Sequence, residues 1–89
     1  MEFTLNPEKR LASLKKHGLD FADVERVFSG HTLTRRDHRF LYDEARFSTM
    51  GLLGDVVVVI AHTESDDEIR VISMRKAIRH EREKYFEFI

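Results

Sequence analysis

Asp55-Val56-Val57-Val58-Val59-Ile60-Ala61-His62-Thr63 is the stretch whose reading decides the fold. Four consecutive valines and an isoleucine are β-branched, stiff at χ1 and suited to a pleated surface. A run that is apolar on both faces fits a strand covered from both sides, which predicts the middle strand of a sheet. The acidic turn Glu64-Ser65-Asp66-Asp67-Glu68 follows, and Ile69-Arg70-Val71-Ile72-Ser73-Met74 is a second strand pattern. The pair predicts an antiparallel hairpin with a loop of about five residues. Upstream, residues 45–52 predict another strand and Thr32-Leu33-Thr34 a weaker one, with Gly51-Leu52-Leu53-Gly54 as a hairpin turn.

Helices flank this sheet in sequence. Asn6-Pro7-Glu8 supplies an N-cap, a first helical residue that needs no N–H partner, and an acid at the positive helix end. The helix it opens has Leu11 and Leu14 as apolar positions, ends in Lys15-Lys16, and stops at His17-Gly18 in a left-handed turn. Asp20 and Asp23 resemble a second capping arrangement, after which Phe21, Val24, Val27 and Phe28 share one helical face up to Ser29-Gly30. From about Lys76 onward, Ala77/Ile78, Glu81/Arg82, Tyr85 and Phe86/Ile89 are spaced for a helix lying on the sheet. The expectation is an α+β fold: two N-terminal helices, an antiparallel meander and a C-terminal helix packed on the sheet.

Composition bounds the function. The 89 residues carry 15 Lys and Arg, 16 Asp and Glu, and no Cys. This predicts one small soluble domain over 1–89 without disulfide, thiol or cysteine-zinc chemistry. No stretch predicts a membrane span or a signal peptide, so a cytoplasmic location is expected. The near-zero net charge hides segregation: residues 47–68 hold five acids and no base, whereas 69–89 hold six bases and three acids. One end of the domain is basic.

His17, His31, His38, His62 and His80 form no ligand-spaced pair, so no metal site is expected. Arginine is the more informative residue. Arg70 and Arg75 bracket one strand, Arg46 opens another, and Arg79 and Arg82 follow on the terminal helix. Guanidinium groups around a cleft donate paired hydrogen bonds to phosphate and stabilise the extra negative charge of pentacoordinate phosphorus. RNA cleavage also needs an acceptor for the 2′-OH proton and a donor for the departing 5′-oxygen, for which Glu44 and His62 are the nearest candidates. The competing reading is that these arginines simply pair with Glu44, Glu64, Glu68 and Glu81. Glu81, on the sheet-facing side of the last helix, needs a partner such as Arg70, and a structural ion pair is expected there.

Four blocks of the chain are similar, in order and in register, to those of one known family. Lys16-His17-Gly18-Leu19-Asp20-Phe21-Ala22-Asp23-Val24 is similar to its KHGVSFEEA block. Asp37, Arg39, Tyr42, Glu44, Arg46 and Gly51 resemble D-x-R…Y-G-E-x-R…G. Val57-Val58-Val59 through His62-Thr63-Glu64 resembles VVVxxHTE, and residues 69–77 with Glu81-Arg82 resemble IRIISxRKA…ER. The chain departs at Phe3-Thr4-Leu5-Asn6-Pro7, where the family often has Phe-Glu-Trp-Asp-Pro, at Ser13 in place of a common Asn, and at Asp43 in place of a usual Gly.

Together these blocks resemble the BrnT toxin family, and the resemblance implies a RelE-like, metal-independent ribonuclease toxin of a type II toxin–antitoxin pair that needs no cofactor. It implies a BrnA-type ribbon-helix-helix antitoxin as partner, and contact with operator DNA only through that antitoxin. It carries over Arg46, Arg70 and Arg75 as catalytic positions and Arg39, Lys76 and Arg79 as RNA-backbone contacts. The alternative is a non-enzymatic RNA- or protein-binding module that acts as a corepressor in the antitoxin complex. Phe86 and Phe88 are candidates for the antitoxin surface, or else complete the core.

Overall fold

The valine run is the middle strand of a five-stranded sheet. In this computed structural model, which describes residues 2–37 and 45–89, the strands are β1 (Glu2–Thr4), β2 (Leu33–Asp37), β3 (Arg46–Leu53), β4 (Val56–Glu64) and β5 (Glu68–Lys76). Their spatial order is β1-β5-β4-β3-β2. β2 to β5 pair antiparallel, but β1 pairs parallel with β5, with Phe3 opposite Ile69. The sheet is therefore mixed, which corrects the expected antiparallel meander. Three residues are too few to display a period of two, so β1 left no pattern in the sequence. The hairpin loop is also shorter than expected, because pairing runs on to Glu64 opposite Ile69 and the Ser65 N–H donates to the Glu68 carbonyl.

Alternation along the strands sends successive side chains to opposite faces. On one face Val58, Ile60, Val71 and Met74 meet Leu19, Phe21, Val24 and Val27. These last residues all come from the segment after α1 (Pro7–His17): Leu19 just past its cap, then a 3₁₀ turn (Phe21–Asp23) running into the short α2 (Val24–Phe28). The caps are those the sequence predicts. The Asn6 side chain accepts from the Glu8 and Lys9 amides, Gly18 takes φ 68° and donates to the Leu14 carbonyl, and Asp20 accepts from the Ala22 amide.

The inward face of α1 is not the expected one. Leu11 and Leu14 are 64% and 44% exposed, whereas Ser13 is buried and its hydroxyl donates to the Leu19 carbonyl. α1 is held largely by polar contacts, including the Arg10–Asp20 ion pair at 2.6 Å, which also depresses the Asp20 pKa. Spacing of three shows which residues share a stripe, but not which stripe meets the sheet.

The other face of the sheet carries α3 (Arg79–Phe88), where Tyr85 and Ala77 join Met50, Val57 and Val59, with Leu33 and Leu52 beside them. Phe86 and Phe88, together with Ile78 and Ile89, stay about half exposed or more and do not complete the core. Among the described residues no helix is long and apolar enough to cross a membrane.

Gly51 lies within β3, not in the turn, which is made by Gly54 (φ 64°) and Asp55. A Cβ at position 51 would sit 2.6 Å from Val27 Cγ1, so glycine there lets α2 approach the sheet. Gly51→Ala is expected to cost about 1–3 kcal/mol by overpacking. The check is a lower urea midpoint with an unchanged m-value, and an unchanged midpoint would contradict this packing account.

Candidate active site

α3 covers only part of its face of the sheet, and strand register shows what stays open. Cross-strand neighbours on that face fall into rows: Leu52–Val57, then Leu33–Met50–Val59–Arg75, then Arg35–Ser48–Ala61–Ser73, then Asp37–Arg46–Thr63–Arg70. The first row and the apolar part of the second lie under α3. The third and fourth carry small or polar side chains, too little apolar surface to hold a helix down. Arg35, Arg46, Arg70 and Arg75, spread over forty positions of sequence, thus lie on one face of the sheet.

Arg46 and Arg75 line a common hollow of about 260 Å³, with Asp37, Ser48, Ala61 and Ser73 among its other walls. Ser48, Ala61 and Ser73 form its floor, where any larger side chain would fill the space. Arg75 is gripped from α3: its Nη1 and Nη2 donate to the two Glu81 oxygens at 2.8 and 3.0 Å. This fork-to-fork pair raises the guanidinium pKa and lowers that of Glu81 to about 2. Glu81 Oε1 also accepts from the Ile78 amide at 2.9 Å, capping α3. Nη1 further donates to the Lys76 carbonyl, so Nε–H and one N–H of Nη2 face no protein acceptor among the described residues.

The remaining expected residues are distributed unevenly. The Glu81 ion pair exists, but with Arg75; Arg70 instead lies 3.7 Å from Glu68 and is not a wall of the hollow. Strand alternation puts Lys76 opposite Val58 and so on the α1 side of the sheet. Arg79 points outward from α3, its side chain 86% exposed and paired with Glu83 at 3.1 Å. Arg39 and Glu44 lie outside the described residues. Arg35, Ser48 and Ser73 were missed by sequence reasoning. Their signal is alternation within β2, β3 and β5, usable only once the register between strands is known.

His62 is fully buried. Its ring stacks on Phe47, meets Phe28 edge-on, and through Nε2 shares a 2.7 Å hydrogen bond with Thr49, which bonds Thr34 in turn. Among the described residues Nδ1 has no hydrogen-bond partner, and a carboxylate oxygen of Glu64 is 3.5 Å away. Burial lowers the pKa to about 4, so the ring is neutral at pH 7 and closed to a bound substrate. It ties β2, β3 and β4 together.

Because the folded pKa of His62 is below the ordinary value of 6.5, the unfolded chain takes up the proton first as pH falls. Stability is therefore intact above pH 6.5 and drains away between 6.5 and 4, by roughly 2–3 kcal/mol. Denaturant titrations from pH 7 to 4 are expected to show this loss in the wild type and a smaller one in His62→Gln. Parallel curves for the two proteins would contradict it.

Among the described residues no three His, Asp or Glu side chains gather in a way that could hold a metal ion. A family model described as ribonuclease toxin, BrnT, of type II toxin–antitoxin system matches residues 6–81. The chain belongs to the BrnT family. Comparison with curated proteins finds no match. As a BrnT toxin, the chain is a ribonuclease whose partner is an antitoxin. The matched span runs from the cap of α1 to Glu81, so it takes in both arginines of the hollow and the carboxylate that holds one of them.

Proposed function

We propose that this BrnT toxin cleaves RNA at the open sheet face by attack of a ribose 2′-OH on the adjacent phosphorus, without a metal ion. The attack forms a 2′,3′-cyclic phosphate and breaks the bond from phosphorus to the 5′-oxygen, which takes a proton from water and leaves as a 5′-OH end. The observation that carries this reading is that Arg46 and Arg75, from different strands, border one hollow with a floor of small side chains. Arg75 still has an Nε–H and Nη2–H edge that meets no acceptor among the described residues, the geometry that takes two oxygens of one phosphate. As negative charge builds on phosphorus, fixed guanidinium donors stabilise it more than they stabilise the ground state. Arg70, at the end of the row that brings Asp37 and Arg46 to the hollow, and Arg39 extend the contact along the backbone, with Lys76 and Arg79 as outlying electrostatic contributors. Glu44 takes the 2′-OH proton. His62 is not given a proton-transfer role, since burial keeps it from the RNA.

Cleavage of cellular RNA would stop translation and growth in the cytoplasm, with the RelE-like arrangement that the resemblance implies. A BrnA-like ribbon-helix-helix antitoxin would neutralise the toxin by laying an acidic segment over the arginine hollow, and its dimer would carry the complex to operator DNA. Phe86 and Phe88 offer exposed apolar surface nearby on α3.

Antitoxin-free protein incubated with RNA in EDTA is expected to leave 5′-OH ends and cyclic or 3′-phosphates. RNA that stays intact in EDTA would overturn the mechanism. RNA retained in a salt-sensitive way with no new ends would favour the corepressor reading. A complex with the antitoxin that leaves Arg46 and Arg75 open would contradict the neutralisation scheme.

A further inference from the structure

Beside the arginine hollow lies a second one of about 130 Å³, lined by Leu33, Arg35, Ser48, Met50, His80, Glu81 and Lys84. The two share Ser48, and the Arg75–Glu81 pair stands between them, with Arg75 on one side and Glu81 on the other. We propose that this second hollow binds the phosphate next to the one being cleaved on the same RNA strand, with Arg35 and Lys84 as its ligands and His80 at its rim. The proposal rests on the reading of the first hollow as the cleavage site.

Three observations carry it. First, both oxygens of Glu81 are engaged by Arg75, so the carboxylate in the wall is already neutralised and the cations facing it are not. Second, Arg35 and Lys84 have no hydrogen-bond or ion-pair partner among the described residues, unlike Arg10, Arg26, Arg75 and Arg79, whose charges are paired with carboxylates. Two unpaired cations from different elements, one on β2 and one on α3, converging on one small hollow create a local positive potential that an anion relieves. Third, the hollow is small, and its apolar part, Leu33 and Met50, belongs to the core under α3. It suits a compact anionic group better than a stacked base, since none of its described walls is Phe, Tyr or Trp and the one ring, His80, is accompanied by two cations. Two phosphate seats separated by one ion pair would hold the strand on both sides of a nucleotide and orient the 2′-OH for in-line attack.

The test separates this subsite from the cleavage chemistry. Binding is measured with 2′-O-methyl oligonucleotides, which have no attacking hydroxyl: a dinucleotide with one phosphate and a trinucleotide with two. For the wild type the trinucleotide is expected to bind about tenfold more tightly. In the Arg35→Gln/Lys84→Gln variant that gain should vanish, and the log–log salt slope for the trinucleotide should fall by about one to two. Both positions are exposed, so the variant should fold, and an unchanged melting temperature confirms it. Equal trinucleotide affinity and slope in wild type and variant overturn the subsite. Failure of wild-type protein to cleave unmodified RNA would count instead against the cleavage reading, while the binding comparison still decides the second seat. With cleavable RNA, the variant is expected to lose its preference for the trinucleotide over the dinucleotide.

Discussion

Arg75→Ala is expected to slow RNA cleavage by about a hundredfold or more, the usual effect of removing one fixed donor from a developing oxyanion. Arg46→Ala should fall in the same range, because the two guanidinium groups border the same hollow from β5 and β3. Arg79→Ala should change the rate by no more than about threefold, since its side chain is exposed and paired with Glu83 away from the hollow. Arg75 has a second job, holding α3 through Glu81, so its loss alone is ambiguous. Glu81→Ala resolves this. If Arg75 matters only as an anchor, the two variants should be equally slow; if it meets phosphate, Arg75→Ala should be far slower at equal melting temperature. Arg75→Lys keeps the charge but cannot grip Glu81 and phosphate with separate edges, and is expected to recover only part of the rate. Single-turnover cleavage of a labelled RNA measures all of these, and wild-type rates for Arg46→Ala and Arg75→Ala would remove the proposed site.

Tyr85→Ala should have the largest effect on stability. Tyr85 is the largest fully buried side chain among the described residues, the centre of the apolar cluster between α3 and the sheet, and its hydroxyl donates to the His31 carbonyl at 2.6 Å. Truncation removes that packing, leaves a cavity and orphans the carbonyl, for about 3–5 kcal/mol. A domain of this size is stable by only roughly 5–10 kcal/mol in total. The expected result by circular dichroism is a melting temperature lower by about 15 °C or more. Tyr85→Phe, which loses only the hydroxyl bond, should cost about 1 kcal/mol. Because α3 carries Glu81 and Lys84 to the site, Tyr85→Ala should also weaken RNA binding, whereas Tyr85→Phe should leave it nearly intact. A loss of less than about 5 °C in Tyr85→Ala would mean that α3 is held by other contacts.

The parts of the fold legible in the sequence are those specified by neighbouring residues. The Asn6 cap, the Gly18 stop and the central valine strand depend on interactions within a few positions and appear where expected. What was not legible depends on partners far along the chain. β1 exists because β5 offers it an edge, and Ser13 rather than Leu11 and Leu14 turns inward because Leu19 and Met74 present carbonyls there. His62 shows the same limit at the site. Its position near the end of an apolar strand suits either a rim or a core histidine, and only the stacking of Phe47 and Phe28 around it decides for the core.

The amino-acid order by itself determined that an α+β domain forms, that its bases gather late in the chain, and that its blocks are those of a BrnT toxin. Tertiary structure alone decided which arginines meet. Arg46 and Arg75 come together, and Arg35 joins their face, because cross-strand register sets the rows and α3 stops short of covering them. Arg79 is turned away by the helix that brings Glu81 to Arg75. Local propensity specifies strands and helices, whereas convergence of distant charges is a property of how those elements pair.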